Sequence, residues 1–109
     1  MQDLIKSIRE NADKLEKAIN ERYKVSVQRA KAEYQYRANL GREMAIAKVD
    51  GMAATALYDY CRGLDHIANL RCERDILQAK EDYFEQKIYY YKTEIRIAEG
   101  QLNAERKGV

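Results

Sequence analysis

The stretch IANLRCERDILQAKEDYFEQKIYYYKTEIRIAEGQL, residues 67–102, decides the fold class because its apolar residues follow one continuous heptad. Alternating steps of three and four residues place these side chains along one seam of an α-helix, at coiled-coil a and d positions. The seam residues are Ile67, Leu70, Leu77, Phe84, Ile88, Tyr91, Ile95, Ala98 and Leu102. Two charged residues, Arg74 and Glu81, interrupt this seam. Either they pair with charges on another helix, for which Glu33 and Arg37 are the candidates, or they extend out to solvent.

A second long helix precedes this one, and its apolar residues are also spaced by three and four. Around Ile19, Tyr23 and Val27 the steps become four and four, which indicates a stutter in the heptad. Asp50 and Gly51 then form a helix stop followed by a turn. The stripe predicted to face the other helix is Ile5, Ile8, Ala12, Leu15, Ile19, Tyr23, Val27, Ala30, Tyr34, Ala38, Gly41, Ala45 and Val49.

These patterns predict an all-α fold, an antiparallel helical hairpin (coiled coil) of two long helices with a short helical connector. We expect one domain over residues 1–109, with a helix at 3–49, the connector at 52–62 and a helix at 64–106. The composition agrees, since the 109 residues include no proline and 35% are charged.

A second apolar stripe runs along the last helix, outside the seam. Ile76, Tyr83, Tyr90 and Ile97 recur every seven residues, where a solvated helix face normally carries charged residues. We therefore predict a partner there, either a host or phage protein or a second copy of the chain in a homodimer. Tyr89 lies at the border of this stripe, and the first helix offers Tyr34 and Tyr36 as further candidate partner-binding residues.

Catalytic and ligand-binding motifs are not recognised in the sequence. His66 is the only histidine, and neither Cys61 nor Cys72 has the spacing that would pair it with His66 or form a zinc clip. We expect separate, reduced cysteines, no metal, no cofactor and no enzymatic activity. The apolar runs are too short to span a bilayer, and the N-terminus does not resemble a secretory signal, so we expect a cytoplasmic protein without a membrane partner.

Nucleic-acid binding is the alternative, on two features. Basic residues interleave with tyrosines in the segment RYKVSVQRAKAEYQYR, residues 22–37, and this combination suits phosphate contacts and base stacking. Its candidate cations are Arg22, Lys24, Arg29, Lys31 and Arg37. Ala47, Gly51 and Leu57 also match helix-turn-helix spacing, but the helix that would follow, AATALYDYC, has no side chain suited to reading bases.

The motifs AEYQYR (residues 32–37), DYCRG (59–63), IANLR (67–71), ERD (73–75) and EIR (94–96) resemble a group of small, poorly characterised proteins. These are encoded among the early genes of phages and prophages of Gram-positive bacteria. The resemblance covers about residues 29–97. Relatives often carry proline after the central glycine, where this chain has Met52.

The resemblance implies a phage early protein acting in the bacterial host cell. Small proteins of this kind without enzymatic motifs are often inhibitors of host defences, and anti-CRISPR activity is the sharpest version of that expectation. We expect a protein-interaction module that binds and sterically blocks a host protein. The alternative is a DNA-binding accessory protein of phage replication or recombination.

Overall fold

A computed structural model describes residues 1–108, and these form three α-helices without any β-strand. Helix α1 is Gln2–Val49, α2 is Ala54–Arg62 and α3 is Asp65–Lys107. The predicted all-α helical hairpin with a short helical connector is confirmed. Val109, the last residue of the predicted domain, lies outside the described residues. Within residues 1–108, no helix has a stretch both long and apolar enough to span a bilayer.

Gly51 ends α1 in the way its sequence predicts. Its φ of +94° is in the left-handed region, and its N–H donates to the Lys48 carbonyl at 3.1 Å. The next N–H, from Met52, donates to the Ala47 carbonyl at 3.0 Å, which completes a Schellman motif. Ala53 is extended, with φ −61° and ψ 138°. Because two residues are needed to redirect the chain after Gly51, α2 begins at Ala54 rather than at residue 52.

The chain divides into two compact units, and the predicted single domain stays a prediction. The first unit combines Met1–Lys24 with the described part of Lys80–Val109, and the second is Val25–Ala79. In the first unit, ion pairs show that the two helices run antiparallel. The N-terminal amine lies 3.5 Å from Glu105, and Arg22 lies 4.0 Å from Glu85. Ala18, Ala98 and Leu102 form its buried contacts.

The second unit contains the best-defined core, because α2 packs against both long helices there. Ile67 and Cys61 are fully buried at its centre. Their buried neighbours are Tyr36, Leu40, Ala47 and Leu57, with Met44, Met52, Leu64 and Leu70 packed around them. Leu57 and Cys61 both come from α2, so the short helix contributes one apolar side to this core.

The seam predicted on α3 is correct. Its apolar members are all buried or half-buried: Ile67, Ala98 and Leu102 are buried, and Leu70, Leu77, Phe84, Ile88, Tyr91 and Ile95 are half-buried. Three and four residues per step therefore place these side chains against α1, as the heptad requires.

The stripe predicted on α1 is wrong beyond Leu15. Ile19, Tyr23, Val27, Tyr34 and Val49 are all exposed. The buried residues of α1 are instead Ala18, Val25, Tyr36, Leu40 and Ala47. Each of the first two lies next to a predicted position, and one residue along a helix rotates the side chain by about 100°. The four-and-four spacing that suggested a stutter therefore belongs to the exposed side of α1.

Candidate partner-binding surface

Tyrosine is the residue type that distinguishes the surface of this chain. Of its nine tyrosines, seven are exposed: Tyr23, Tyr34, Tyr58, Tyr60, Tyr83, Tyr89 and Tyr90. Large rings are normally withdrawn from water, because burying apolar area is the main favourable term in folding. So many rings left in solvent on a chain of 109 residues indicate surfaces that another molecule covers.

The second stripe of α3 is exposed, as the sequence predicts. Tyr83 is 55% exposed, Tyr90 is 53% exposed and Ile97 is 50% exposed, all within the first unit. Ile76, in the second unit, is 52% exposed. Tyr89 is exposed still further, at 66%. The packing of the helices leaves these side chains accessible to a partner.

The stripe lies beside the seam rather than on the opposite face, and in this respect the prediction is wrong. Tyr83 and Tyr90 each precede a seam residue, Phe84 and Tyr91, by one position, which is about 100° around the helix. The Tyr83 and Phe84 ring centroids are 5.3 Å apart at 74°, and those of Tyr90 and Tyr91 are 5.4 Å apart at 70°. These edge-to-face contacts restrict the exposed rings, so a partner that binds them orders little that is not already ordered.

Tyr83 also lines a shallow groove of about 240 Å³ in the first unit. We call this the lysine–tyrosine groove. Its lining residues are Lys14, Lys17, Ala18 and Glu21 from α1 and Tyr83, Phe84, Lys87 and Tyr91 from α3. The Lys87 ammonium lies 5.7 Å from the centre of the Tyr83 ring and 5.9 Å from those of Tyr90 and Tyr91. These are cation–π distances, and they hold the amine among three rings.

Sequence reasoning missed the lysines of this groove. A signal was present on α3, since Lys87 follows Tyr83 by four residues and precedes Tyr90 by three, which is the spacing of neighbours on a helix surface. On α1, Lys14 and Lys17 precede Leu15 and Ala18 by one residue. Only the correct α1 seam reveals that they flank it on the same side as Tyr83.

Two of the candidate partner-binding residues, Tyr34 and Tyr36 on α1, have opposite environments. Tyr34 is 69% exposed and remains available to a partner. Tyr36 is 5% exposed and belongs to the core of the second unit, where the Arg74 guanidinium lies 4.6 Å from its ring centre. Tyr36 is therefore a core residue, and its assignment to a surface is wrong. Its spacing to Leu40 and Ala47, of four and eleven residues, follows the buried side of α1.

The charged seam residue Arg74 has the partner that was predicted for it. One of its terminal nitrogens, Nη1, lies 3.2 Å from Oε2 of Glu33, and the Arg37 Nε donates to Oε1 of the same carboxylate at 2.6 Å. Hydrogen bonding from Arg37 lowers the pKa of Glu33, burial opposes this effect, and Arg74 adds to the lowering. Glu33 thus joins a charge on α3 to a charge on its own helix.

The cations proposed for nucleic-acid binding are largely occupied by carboxylates of the same chain. Arg22 pairs with Glu85 at 4.0 Å, and Lys24 pairs with Glu21 at 3.5 Å. Arg37 pairs with Glu33. Arg29 is half-buried, while Lys31 is exposed. Phosphate contacts by the paired residues require these ion pairs to break or to be shared.

The chemically reactive side chains are dispersed. The His66 Nε2 lies 3.3 Å from Glu43, whereas Cys61 is buried and Cys72 is exposed, both as free thiols. Among residues 1–108, no group of three or more His, Cys, Asp and Glu side chains is placed to hold a metal ion. A cavity of about 370 Å³ near the α1–α2 turn is lined in part by Glu43, Asp50 and Tyr60.

Comparison with known proteins adds no assignment: no protein-family model, curated protein or solved structure matches the chain. The exposed tyrosines and the lysine–tyrosine groove therefore carry the functional argument.

Proposed function

We propose that this chain is a non-enzymatic protein-interaction module that binds another protein and blocks it sterically. One observation carries the proposal: Tyr83, Tyr89 and Tyr90 stand exposed along α3, beside a seam that the fold already uses. Tyrosine is enriched in binding hot spots because its ring gives a large contact area at a low cost in conformational entropy. A helix presents such rings in a fixed order, which favours recognition of a defined surface.

The absence of a catalytic arrangement in the described residues supports a binding role over an enzymatic one. Nucleophilic catalysis requires a nucleophile within hydrogen-bond reach of a base. Cys61 is fully buried, and the imidazole of His66 is engaged with Glu43 at 3.3 Å. A surface that binds without transforming its partner inhibits by occupying the site that the partner needs.

The specific version of the proposal concerns the host. The resemblance of residues 29–97 to early proteins of phages and prophages leads us to propose a bacterial host protein as the target, in the cytoplasm of that cell. A CRISPR effector is the sharpest candidate. The free thiols of Cys61 and Cys72 agree with a reducing compartment. The DNA-binding alternative is less favoured, because ion pairs within the chain already engage Arg22, Lys24 and Arg37.

Affinity capture from lysates of Gram-positive bacteria tests the proposal. The full chain is immobilised beside two double variants, Tyr83→Gln/Tyr90→Gln on α3 and Tyr23→Gln/Tyr34→Gln on α1, and captured proteins are quantified by mass spectrometry. We expect a host protein that the parent and the α1 variant retain and the α3 variant loses. Retention by all three chains, or recovery of nucleic acid alone, would contradict the proposal.

A further inference from the structure

The lysine–tyrosine groove has a charge pattern that its aromatic residues alone do not explain. Three ammonium groups line it, from Lys14, Lys17 and Lys87, against one carboxylate, Glu21. The amines come from both helices, since Lys14 and Lys17 lie on α1 and Lys87 lies on α3. Phe84 and the rings of Tyr83 and Tyr91 provide the apolar part of the lining.

We infer that this groove docks a short acidic segment of a partner protein, with one large apolar side chain placed against the tyrosines and carboxylates placed at the lysines. The inference rests on the proposed function and gives the chemical class of the partner. Charge complementarity selects this occupant. A carboxylate that reaches Lys87 replaces water with a charge-assisted hydrogen bond, while a cation at the same place meets three like charges.

Lys87 is the best-positioned of the three amines. It is half-buried, and rings lie around it at 5.7 to 5.9 Å. A side chain held in this way loses less conformational entropy on binding than a free surface lysine. The exposed amines of Lys14 and Lys17 add attraction from the other wall of the groove and steer an acidic segment toward it.

A protein segment suits the groove better than a nucleic acid does. A nucleic-acid strand carries a negative charge at every nucleotide and needs a continuous basic track. Here carboxylates interrupt the basic region: Glu21 lines the groove itself, and Glu94 follows Lys87 by one heptad on α3. A volume of about 240 Å³ is below the range of drug-sized ligand pockets and suits one large side chain.

Selection from a random twelve-residue peptide library displayed on phage, against the immobilised full chain, tests the inference. We expect the recovered peptides to be enriched in Asp and Glu around one aromatic or long aliphatic residue. The strongest is then synthesised with a fluorophore, and its affinity is measured by fluorescence anisotropy. Because the contacts are ionic, we expect the affinity to fall as salt is raised.

Charge-reversal variants locate the binding. Lys14→Glu/Lys17→Glu should weaken the selected peptide by about tenfold or more. Lys31→Glu/Lys48→Glu is the matched control, with the same charge change at two exposed lysines of the same helix within the second unit. Circular dichroism confirms that both variants are folded. Lys87→Gln should weaken the peptide as well, and it leaves the tyrosine rings in place.

Three results would overturn the inference. One is a set of selected peptides without acidic enrichment, or no enriched peptide. Another is binding that Lys14→Glu/Lys17→Glu leaves unchanged. The third is an unstructured twenty-nucleotide DNA that displaces the peptide and binds more tightly than it does. If binding is instead lost in Tyr23→Gln/Tyr34→Gln, this groove is not the docking site but the proposed interaction function stands. If neither the library nor the host lysate yields a partner, both proposals fail.

Discussion

At the scale of single residues, Tyr34 and Tyr36 show how helical rotation assigns roles. They are two positions apart, or about 200° around α1, and their exposed fractions are 69% and 5%. Tyr36 packs in the core of the second unit under the Arg74 guanidinium, whereas Tyr34 points away from that core into solvent. The same residue type thus serves packing at one position and is available for recognition at the other.

Truncating the two tyrosines should separate these roles. We expect Tyr36→Ala to lower the free energy of unfolding by about 3–5 kcal/mol, because it empties a packed core position. Tyr34→Ala should change it by no more than about 0.5 kcal/mol, as is usual at exposed sites. Urea denaturation followed by circular dichroism measures both. Equal losses in the two variants would show that the assignment of the α1 seam is incorrect.

Glu33 gives the chain a pH-dependent contribution to stability. Its folded-state pKa lies below the ordinary value of 4.5, so folding favours the ionised carboxylate. The contribution is fully present above pH 4.5 and is lost as the pH falls through the lower folded-state pKa. We expect Glu33→Gln to be less stable than the parent at pH 7, by at most about 1 kcal/mol because the group is part-exposed.

The comparison of the two chains across pH is the check on that account. Their difference in unfolding free energy should shrink as the pH is lowered from 5 toward 2.5, since the parent carboxylate then becomes neutral like the glutamine. A difference that stays constant over this range would mean that the Arg37 and Arg74 contacts do not act through the charge of Glu33.

At the scale of helices and turns, two glycines on α1 and just after it have opposite consequences. Gly51 has a φ of +94° in the turn, and Gly41 lies within regular helix. A Cβ added at either position would meet no other atom within 4 Å. Sterics are therefore absent at both sites, and the backbone conformation alone decides the effect of adding a side chain.

Alanine substitution at these glycines should change stability with opposite signs. We expect Gly51→Ala to destabilise the fold by about 1–2 kcal/mol, because a left-handed conformation is unfavourable for a residue with a Cβ. Gly41→Ala should stabilise it by about 0.5–1 kcal/mol, because alanine is the better helix former. Thermal melts of the two variants beside the parent provide the measurement. A loss of stability at Gly41 would indicate a close neighbour in the folded protein in solution.

The two long helices differ in how far their packing was predictable. On α3, apolar residues occupy the seam almost throughout, so periodicity identifies the buried face. On α1 the buried side includes half-buried polar residues, Arg22 and Arg29, while large apolar residues such as Tyr23 lie on the exposed side. Hydrophobic periodicity followed the tyrosines and selected the wrong face. The lysine–tyrosine groove was unpredictable for the same reason, since it requires the correct α1 seam.

At the scale of the whole molecule, self-association is the property that the exposed surface most directly implies. The predicted homodimer stays a prediction, and light scattering of the purified chain tests it. We expect twice the mass of one chain, and a shift toward one chain in Tyr83→Gln/Tyr90→Gln, because these rings are the exposed apolar area on α3. A parent that remains monomeric at every accessible concentration would leave a different protein as the only partner for this surface.

The central claim is that α3 uses one face for folding and the neighbouring face for binding. Thermal unfolding, followed by circular dichroism at two protein concentrations, tests it without knowledge of the partner. Tyr83→Gln/Tyr90→Gln should melt within a few degrees of the parent, since only edge-to-face ring contacts are lost. Tyr91→Lys should lose most of its folded population, because it places an unpaired charge in the seam. If the double variant unfolds as readily as Tyr91→Lys at both concentrations, the exposed tyrosines are structural and the claim is wrong.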